Sequence, residues 1–300
     1  MSARAARNLL VPYAFVLPAM AVLGVFIVGS FVQVIVYSLG VFNPFEQSYE
    51  FTGLANYIRL WEDDRFWWCL ANSGLYLLVT PVLIVLSLSC AIVIDARVRG
   101  HAALRLLFFL PVVTPTIVAA VGWRILFNEE SGLLSALAEP VVGVLNATLD
   151  PQTPWATPAW LTERPWTLIA PMVVTTWKGF GFYMMIFLAG LLNVPRELRE
   201  AAALDGAGRW GVFRNVVLPG IWPIMTLVIV ISSISALKVF DEIFVTVRGV
   251  PLEHQTAVPY VYETAFGDGN FGIASAAGVV LFAVLLVFSL INLRLTRSKP

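Results

Sequence analysis

Residues 194–223 read VPRELREAAALDGAGRWGVFRNVVLPGIWP, and they separate two long apolar runs. Pro195 suits the first position of a helix, where the missing N–H of proline costs nothing. The alanine-rich continuation favours helix, and Gly206 ends it because glycine adopts a left-handed cap at little cost. A second short helix is predicted from Arg209 to about Val217, before Pro219. The stretch is therefore predicted to form two short helices joined by a turn.

The apolar runs on either side are typical of a membrane protein. The chain is 59% hydrophobic and 13% charged, whereas soluble domains are about 25% charged. No Asp, Glu, Lys or Arg lies between Arg7 and Glu46 or between Arg65 and Asp95, and each gap exceeds the roughly 20 residues that cross a bilayer. Because these runs are continuous and do not alternate, helices satisfy their backbone better than a β-barrel would. The sequence predicts an all-α integral membrane protein.

Six transmembrane helices are predicted within residues 12–293, with a core of about 70–293 and short tails at 1–11 and 294–300. The first run is longer than the roughly 7–15 apolar residues of a cleavable signal peptide, so it is interpreted as an uncleaved span. The approximate bounds of the six spans are Pro12–Leu39, Leu70–Ile94, Leu104–Phe127, Trp166–Leu192, Val217–Leu237 and Phe271–Leu293.

Positive charge indicates how these spans are oriented. Loops on the cytoplasmic side carry an excess of Lys and Arg. Of the 19 Lys and Arg residues, twelve lie in one set of ends and short loops, namely Arg4, Arg7, Arg97, Arg99, Arg105, Arg196, Arg199, Arg209, Arg214, Arg294, Arg297 and Lys299. Both termini and the loop at 193–219 are therefore predicted to be cytoplasmic.

The cytoplasmic loop has two possible roles when only its residues are considered. Trp210 and Phe213 are apolar anchors beside the charged Arg209 and Arg214, which is a composition that suits a partner-binding surface. An amphipathic helix that rests on lipid headgroups has a similar composition. The residue types leave both roles open.

The outer loops are rich in aromatic residues and proline. Tryptophan and tyrosine favour the membrane interface in any membrane protein, so an interfacial aromatic belt is preferred over a docking surface for an external partner. The residues are Trp61, Trp67 and Trp68 before the second span, and Pro151, Pro154, Trp155, Pro158, Trp160, Pro165 and Trp166 before the fourth.

A family resemblance gives the cytoplasmic loop a partner. The segment Glu200-Ala-Ala-Ala-Leu-Asp-Gly206, followed after nine residues by Val216-Val-Leu-Pro219, resembles the EAA signature of ATP-binding-cassette (ABC) importer permeases. Segments at Phe51–Tyr57, Leu110–Pro115 and Trp177–Phe180 are similar to the carbohydrate-uptake class of the maltose-transporter type. One departure is the first outer loop, about 40–69, which is short here and carries no large external domain.

The resemblance implies a type I ABC importer permease fold and a non-catalytic role. The chain lacks a phosphate-binding loop of the Gly-x4-Gly-Lys-Ser/Thr type, so no cofactor is expected on it, and a partner ATPase would use ATP and Mg²⁺. Expected partners are a second permease subunit, two ATPase subunits, an extracytoplasmic solute-binding protein and membrane lipid, without nucleic acid. The expected location is the cytoplasmic (inner) membrane of a bacterium or archaeon. The residues expected to dock the ATPase are Glu200, Ala201, Ala202, Asp205, Gly206, Ala207, Arg209, Phe213, Leu218 and Pro219.

A sugar path needs aromatic faces and hydrogen-bonding groups within the spans. Lys178 would line such a path or a subunit interface, or it would reach the outer membrane interface; the interface is favoured because Trp177 lies beside it. The candidate path residues are Trp123, Trp177, Lys178, Phe180, Tyr183, Ser232, Ser233 and Ser235.

Other functions are weighed against the sugar importer. The same importer type would serve a non-sugar solute such as a glycerophosphodiester or a polyamine. A secondary transporter would carry inverted repeats and ionisable residues at mid-membrane, and a membrane enzyme would carry a cluster of catalytic side chains; the sequence gives little sign of either. Two cysteines and two histidines predict neither a disulfide framework nor a metal site.

Overall fold

In a computed structural model, the described part of the chain comprises residues 13, 15–44, 46–96, 100–149 and 154–297, without the side chains of residues 293 and 295–297. The predicted N-terminal tail, Pro12, the loop charges Arg97 and Arg99, and the last three residues lie outside it. The chain divides into two compact units, residues 1–64 with 261–283 and residues 65–260 with 284–300.

The first unit contains a long helix, a hairpin and a short helix. Helix α1 (Phe15–Ser38) leads into strands β1 (Gly40–Asn43) and β2 (Ser48–Phe51), which pair antiparallel with Gly40 opposite Phe51. Helix α2 (Ala55–Glu62) closes onto this hairpin because the Asn56 amide donates hydrogen bonds to the carbonyls of Ser38 and Gly40, at 3.1 and 2.8 Å. The hairpin was not predicted, and it is a small addition to an otherwise helical architecture.

The second unit holds most of the helices. In chain order these are α3 (Asp64–Tyr76), α4 (Val79–Asp95), α5 (His101–Val113), α6 (Thr116–Leu126), α7 (Leu133–Leu149), α8 (Trp166–Leu192), α9 (Arg196–Leu204), α10 (Arg209–Gly220), α11 (Trp222–Leu237), α12 (Asp241–Thr246) and α13 (Ala257–Tyr262). Helix α14 (Phe271–Arg297) begins in the first unit and ends in the second.

Helix α8 is the centre of the second unit. It packs along α4 and also contacts α5. The Ser87 hydroxyl on α4 donates to the Phe180 carbonyl at 2.8 Å, and a Cβ at Gly181 would overlap the Phe108 carbonyl oxygen of α5. Small residues let transmembrane helices approach closely in this way. Gly181 therefore sets how near α5 lies to α8.

Four of the predicted spans are confirmed as helices long and apolar enough to cross a membrane. They are Phe15–Ser38, Asp64–Asp95, Trp166–Leu192 and Phe271–Asn292. The fourth span has the predicted bounds, and the second begins six residues earlier than predicted because α3 leads into α4 within the same long run.

The third span was wrongly predicted as a single helix at Leu104–Phe127. It is a pair, α5 and α6, bent by 96° at the break between them. Thr114 stands before Pro115 with ψ of 128°, and the clash of a proline ring with the preceding residue disfavours helical geometry there. The proline thus divides the run.

The fifth span was predicted to start at Val217, but the helix that continues to Leu237 starts at Trp222. Helix α10 extends to Gly220 and is bent by 68° relative to α11, with Pro219 and Pro223 on either side of the break. Another apolar helix, α7, was not predicted at all. It contains Pro140 and Gly143, residues that disfavour helix in isolation.

Candidate functional site

Helices α9 and α10, with the turn at 205–208, form a two-helix element in the predicted place. The amide of Ala207 donates to the Ala202 carbonyl at 3.0 Å, and that of Gly206 to the Ala203 carbonyl at 3.1 Å. This pair of bonds is the Schellman motif, which requires a left-handed residue. Gly206 supplies it with φ of +86°. The turn therefore has the geometry expected from its sequence.

The solvent-exposed face of the two-helix element carries large apolar side chains. Leu204 is 89% exposed and Trp210 is 70% exposed, and Trp210 stacks on Phe213 with ring centroids 5.4 Å apart. Large apolar side chains exposed together on one element are typical of an interaction surface.

The predicted docking residues divide by exposure. Glu200, Ala201, Asp205, Gly206, Arg209 and Pro219 are exposed, whereas Ala202, Ala207, Phe213 and Leu218 are half-buried. Phe213 packs against the apolar core that includes Val217 and Ile221. One part of the set thus faces outward, and the other holds the element to the spans.

An arginine links this element to the ends of two spans. The Arg199 guanidinium forms an ion pair with the Asp95 carboxylate at 2.6 Å and donates to the Leu191 carbonyl at 2.6 Å. Asp95 is the last residue of α4, and Leu191 lies in the last turn of α8. We call this set the arginine clasp. Sequence reasoning missed it, although an acidic residue at a helix C-terminus, where the dipole disfavours negative charge, was a signal that could have found Asp95.

Two cavities flank the arginine clasp. One, of about 320 Å³, is lined by Asp95, Ala96, Arg196, Arg199 and Glu200. The other, of about 340 Å³, is mostly apolar and lies beneath α9 and α10; its walls include Ile92, Leu191, Ala203, Val212, Phe213 and Val217. Packing therefore leaves space on both sides of the ion pair.

A further cavity, of about 270 Å³, lies among α4, α8, α11 and α12, and we call it the span cavity. Apolar side chains such as Leu83 and Phe182 form part of its wall. Its polar lining residues are Thr175, Lys178, Tyr183, Ser232, Ser235 and Glu242. An apolar pocket with a few converging polar groups is the usual form of a small-molecule site.

Hydrogen bonds orient several of these polar groups. The Thr175 hydroxyl pairs with the Tyr76 hydroxyl at 2.7 Å, the Tyr183 hydroxyl pairs with Ser235, and Ser232 donates to the carbonyl of Val228 at 2.7 Å. Glu242 lies on α12, beyond the fifth span. Burial raises the pKa of its carboxyl group, and the positive charge of Lys178 opposes that rise. Lys178 and Glu242 therefore influence each other electrostatically.

The span cavity brings together half of the predicted path residues. Lys178, Tyr183, Ser232 and Ser235 line it. Lys178 lies twelve residues into α8, so the structure favours its cavity-lining role over the interfacial role preferred from sequence. Glu242 was missed, because nothing in its local sequence distinguishes it from other acidic residues near the outer loops.

The other predicted path residues lie elsewhere. Trp123 and Trp177 contact each other with centroids 5.8 Å apart, and Trp123 belongs to an aromatic cluster with Phe127 and Trp160. Phe180 packs on Phe108 of α5. Ser233 is buried and does not line the span cavity. Among the described residues, no group of three or more His, Cys, Asp or Glu side chains is placed to hold a metal ion.

Comparison with known proteins places the chain among transport proteins. Residues 83–299 match the family model described as "Binding-protein-dependent transport system inner membrane component". The trehalose/maltose transport system permease protein MalF of Thermococcus litoralis is 28% identical over 96% of this chain and 94% of its own length. The arabinooligosaccharides transport system permease protein AraP of Bacillus subtilis is 32% identical over 96% and 88%.

A further relative and a solved structure agree with these matches. The diacetylchitobiose uptake system permease protein NgcF of Streptomyces coelicolor is 31% identical over 92% of this chain and 79% of its own length. A chain in the crystal structure of a bacterial ABC transporter that imports the acidic polysaccharide alginate superposes with a TM-score of 0.78, at 23% identity over 99% of both chains. The predicted permease fold is thereby confirmed.

Proposed function

The chain belongs to the family of binding-protein-dependent transport system inner membrane components, and from that premise we propose that it is a permease subunit that forms half of the translocation path of an ATP-driven sugar importer. It is a multi-pass, non-catalytic membrane subunit. The observation that carries the proposal is the two-helix element, whose turn at Gly206 holds an exposed apolar face away from the spans.

The two-helix element is the docking site for the ATPase subunit. Glu200, Asp205 and Arg209 provide exposed charges around the apolar Leu204 and Trp210. Apolar anchors with a charged rim are the usual composition of a protein–protein contact. The partner ATPase binds and hydrolyses ATP with Mg²⁺. Closure of the ATPase subunits moves the two-helix element, and the path then opens alternately to each side of the membrane.

The span cavity is part of the path for the cargo. Its volume of about 270 Å³ is near the lower end of small-molecule sites, which begin at about 300 Å³, and this suits a single sugar unit. Lys178 and Glu242 offer a donor and an acceptor for hydroxyl groups, and Phe182 offers an apolar face. The names of three relatives refer to trehalose or maltose, arabinooligosaccharides and diacetylchitobiose, which supports a sugar as the cargo.

The assembly around this chain follows from the same premise. A second permease completes the path, two ATPase subunits bind on the cytoplasmic side, and a solute-binding protein delivers the cargo on the other. A chain similar in fold was crystallised with a periplasmic protein that holds an alginate pentasaccharide. The excess of Lys and Arg supports a cytoplasmic position for both termini and the two-helix element, and the proposed location is the inner membrane of a bacterium or archaeon.

Charge reversal at Glu200 tests the docking role. The chain would be co-expressed with its permease, ATPase and binding-protein partners and reconstituted in liposomes, where ATP hydrolysis stimulated by the loaded binding protein is measured. In the proposed complex Glu200 is buried against the ATPase. We expect Glu200→Lys to lower that stimulation at least about tenfold, since breaking a buried charge pair costs about 2–5 kcal/mol.

Glu197→Lys is the matched control, because Glu197 is exposed on the same helix and lies outside the predicted docking set. It should stay within about twofold of the parent, a difference below 1.4 kcal/mol. Equal stimulation in both variants would contradict the docking role. A binding screen of the solute-binding protein with trehalose, maltose, arabinooligosaccharides and diacetylchitobiose tests the cargo, and binding of a glycerophosphodiester or polyamine in their place would contradict a sugar.

A further inference from the structure

The arginine clasp joins three helices through one side chain. Arg199 lies on α9, its ion-pair partner Asp95 ends α4, and the Leu191 carbonyl belongs to the last turn of α8. Both contacts are 2.6 Å long. The side chains of Arg199 and Asp95 are 25% and 19% exposed, so water screens the pair less than it would on an open surface.

Both partners of Arg199 can accept hydrogen bonds from its guanidinium. A carboxylate at the C-terminus of α4 is disfavoured by the helix dipole unless a cation offsets its charge. The Leu191 carbonyl in the last turn of α8 accepts from the Val194 amide at 3.2 Å and has a second lone pair for the guanidinium. The guanidinium presents several donors in a rigid fork, whereas a lysine ammonium is a single point charge. Arginine can therefore satisfy both groups at once and hold the two helix ends at a fixed separation.

The two halves of the two-helix element are attached in different ways. Helix α10 is held by apolar packing, since Val212 and Phe213 contact the core. Helix α9 bears Glu200, and no residue of α9 is fully buried. The cavities on either side of the clasp leave it without close packing there. Polar contacts from Arg199 thus add a link between α9 and the ends of α4 and α8, beside the chain connection at residues 193–195.

We propose that Arg199 is a positioning residue that transmits movement of the docking helix α9 to the second and fourth spans together. The inference rests on the proposed docking of an ATPase at the two-helix element. When that element moves, the guanidinium carries Asp95 and the last turn of α8 with it, and these helices form two walls of the span cavity. Without the clasp, α9 is still joined to α8 through residues 193–195, and less of its movement reaches the ends of α4 and α8.

The test measures movement and ATP hydrolysis separately in the assembled transporter. Ser235→Cys, in a background with serine at Cys69 and Cys90, reports on the span cavity through its rate of labelling by a membrane-impermeant methanethiosulfonate reagent. The change in that rate on adding Mg·ATP and vanadate, with the binding protein present, is the readout. In Arg199→Gln we expect this change to fall at least about fivefold, equivalent to about 1 kcal/mol, while the ATPase co-purifies and hydrolyses ATP.

Two variants distinguish the contribution of the ion pair from that of the several donors of the guanidinium, and a third variant serves as a control. Arg199→Lys keeps a charge for Asp95 but loses the fork, so an intermediate labelling change is expected. The charge exchange Asp95→Arg with Arg199→Asp should restore part of the change lost in Arg199→Gln. Arg196→Gln alters an exposed arginine of the same helix and should match the parent.

A variant with both charges removed covers the case in which Arg199→Gln fails to assemble. Asp95→Leu with Arg199→Met leaves no unpaired charge, a type of replacement that is often neutral for stability, and it should show the same loss of labelling change. If this variant or Arg199→Gln shows the same change in labelling rate as the parent, the inference is overturned. If Glu200→Lys abolishes stimulation while the Arg199 variants behave as the parent, this inference fails and the docking role stands; if Glu200→Lys has no effect, the docking role fails.

Discussion

The two-helix element takes its shape from consecutive residues, whereas the span cavity takes its shape from helices far apart in the chain. Within α9 and its turn, every bond of the cap joins residues at most five apart. The span cavity instead combines Leu83, Lys178, Ser235 and Glu242 from four helices. The turn of the two-helix element thus depends on local sequence, whereas the span cavity exists only when the spans have packed.

The largest expected effect on stability comes from a change that disrupts the packing of the spans and spares the local element. Gly181→Ala places a Cβ against the Phe108 carbonyl, and overpacking a close contact costs about 1–3 kcal/mol. We expect the purified protein to have a lower melting temperature, which is measured by size-exclusion chromatography after heating. The matched control is Gly143→Ala on α7, where a Cβ meets open space and helix formation gains about 0.5–1 kcal/mol. Equal melting temperatures for the two variants would contradict close packing at Gly181.

The second prediction concerns transport through the span cavity. Lys178→Met removes the charged donor that we propose binds a hydroxyl group of the sugar. A hydrogen bond to a charged group contributes about 1.5–3 kcal/mol, so uptake of the identified sugar should fall about tenfold or more. Lys178 lowers the pKa of Glu242 against the effect of burial. Without it that pKa rises, Glu242 is protonated at a higher pH, and the acid limb of the uptake profile moves upward in pH.

Lys238→Met is the control for the span cavity, because Lys238 is exposed and lines the adjoining pocket beside Asp241, not the span cavity. Uptake in this variant should stay within about threefold of the parent, less than 1.4 kcal/mol. A Lys178 variant that transports as the parent does, with an unmoved acid limb, would remove Lys178 from the path.

The smallest expected effect concerns the local element. Gly206→Ala keeps the turn but places a side chain at φ of +86°, which costs about 1 kcal/mol. Amide hydrogen exchange at residues 200–207 should therefore quicken about fivefold, with little change in the spans. Gly208→Ala is the matched control because Gly208 has φ of −64° and open space at its Cβ. Equal exchange in both variants would show that the left-handed turn is not required.

Sequence predicts most of the local element, although α10 continues to Gly220 and does not end near Val217, before Pro219, as predicted. Pro195, the alanines and Gly206 each act through their own backbone or their nearest neighbours, so the predicted bounds of α9 agree with the structure to within one residue at either end. The straight spans are also predictable from sequence, since an uncharged apolar run of sufficient length has few structures other than a helix available in lipid.

What sequence missed depends on distant partners. The break at Pro115 was not predicted, and its angle of 96° goes with the packing of α6 against α12. Helix α7 was hidden by Pro140 and Gly143, which lower local helix propensity. Lys178 was assigned to the interface because Trp177 is beside it, and only the fold places Glu242 across the cavity. The Asp95–Arg199 pair spans 104 residues and could not be predicted from spacing.

The exposed face of the two-helix element bears on how cells control the abundance of this subunit. Leu204 and Trp210 project into water when no partner covers them, and such surfaces attract chaperones and proteases. In the proposed orientation this face lies in the cytoplasm, within reach of that machinery. If the proposed docking role holds, an unassembled copy exposes to that machinery the same side chains that dock the ATPase, and we expect the amount of permease to follow the supply of its partner.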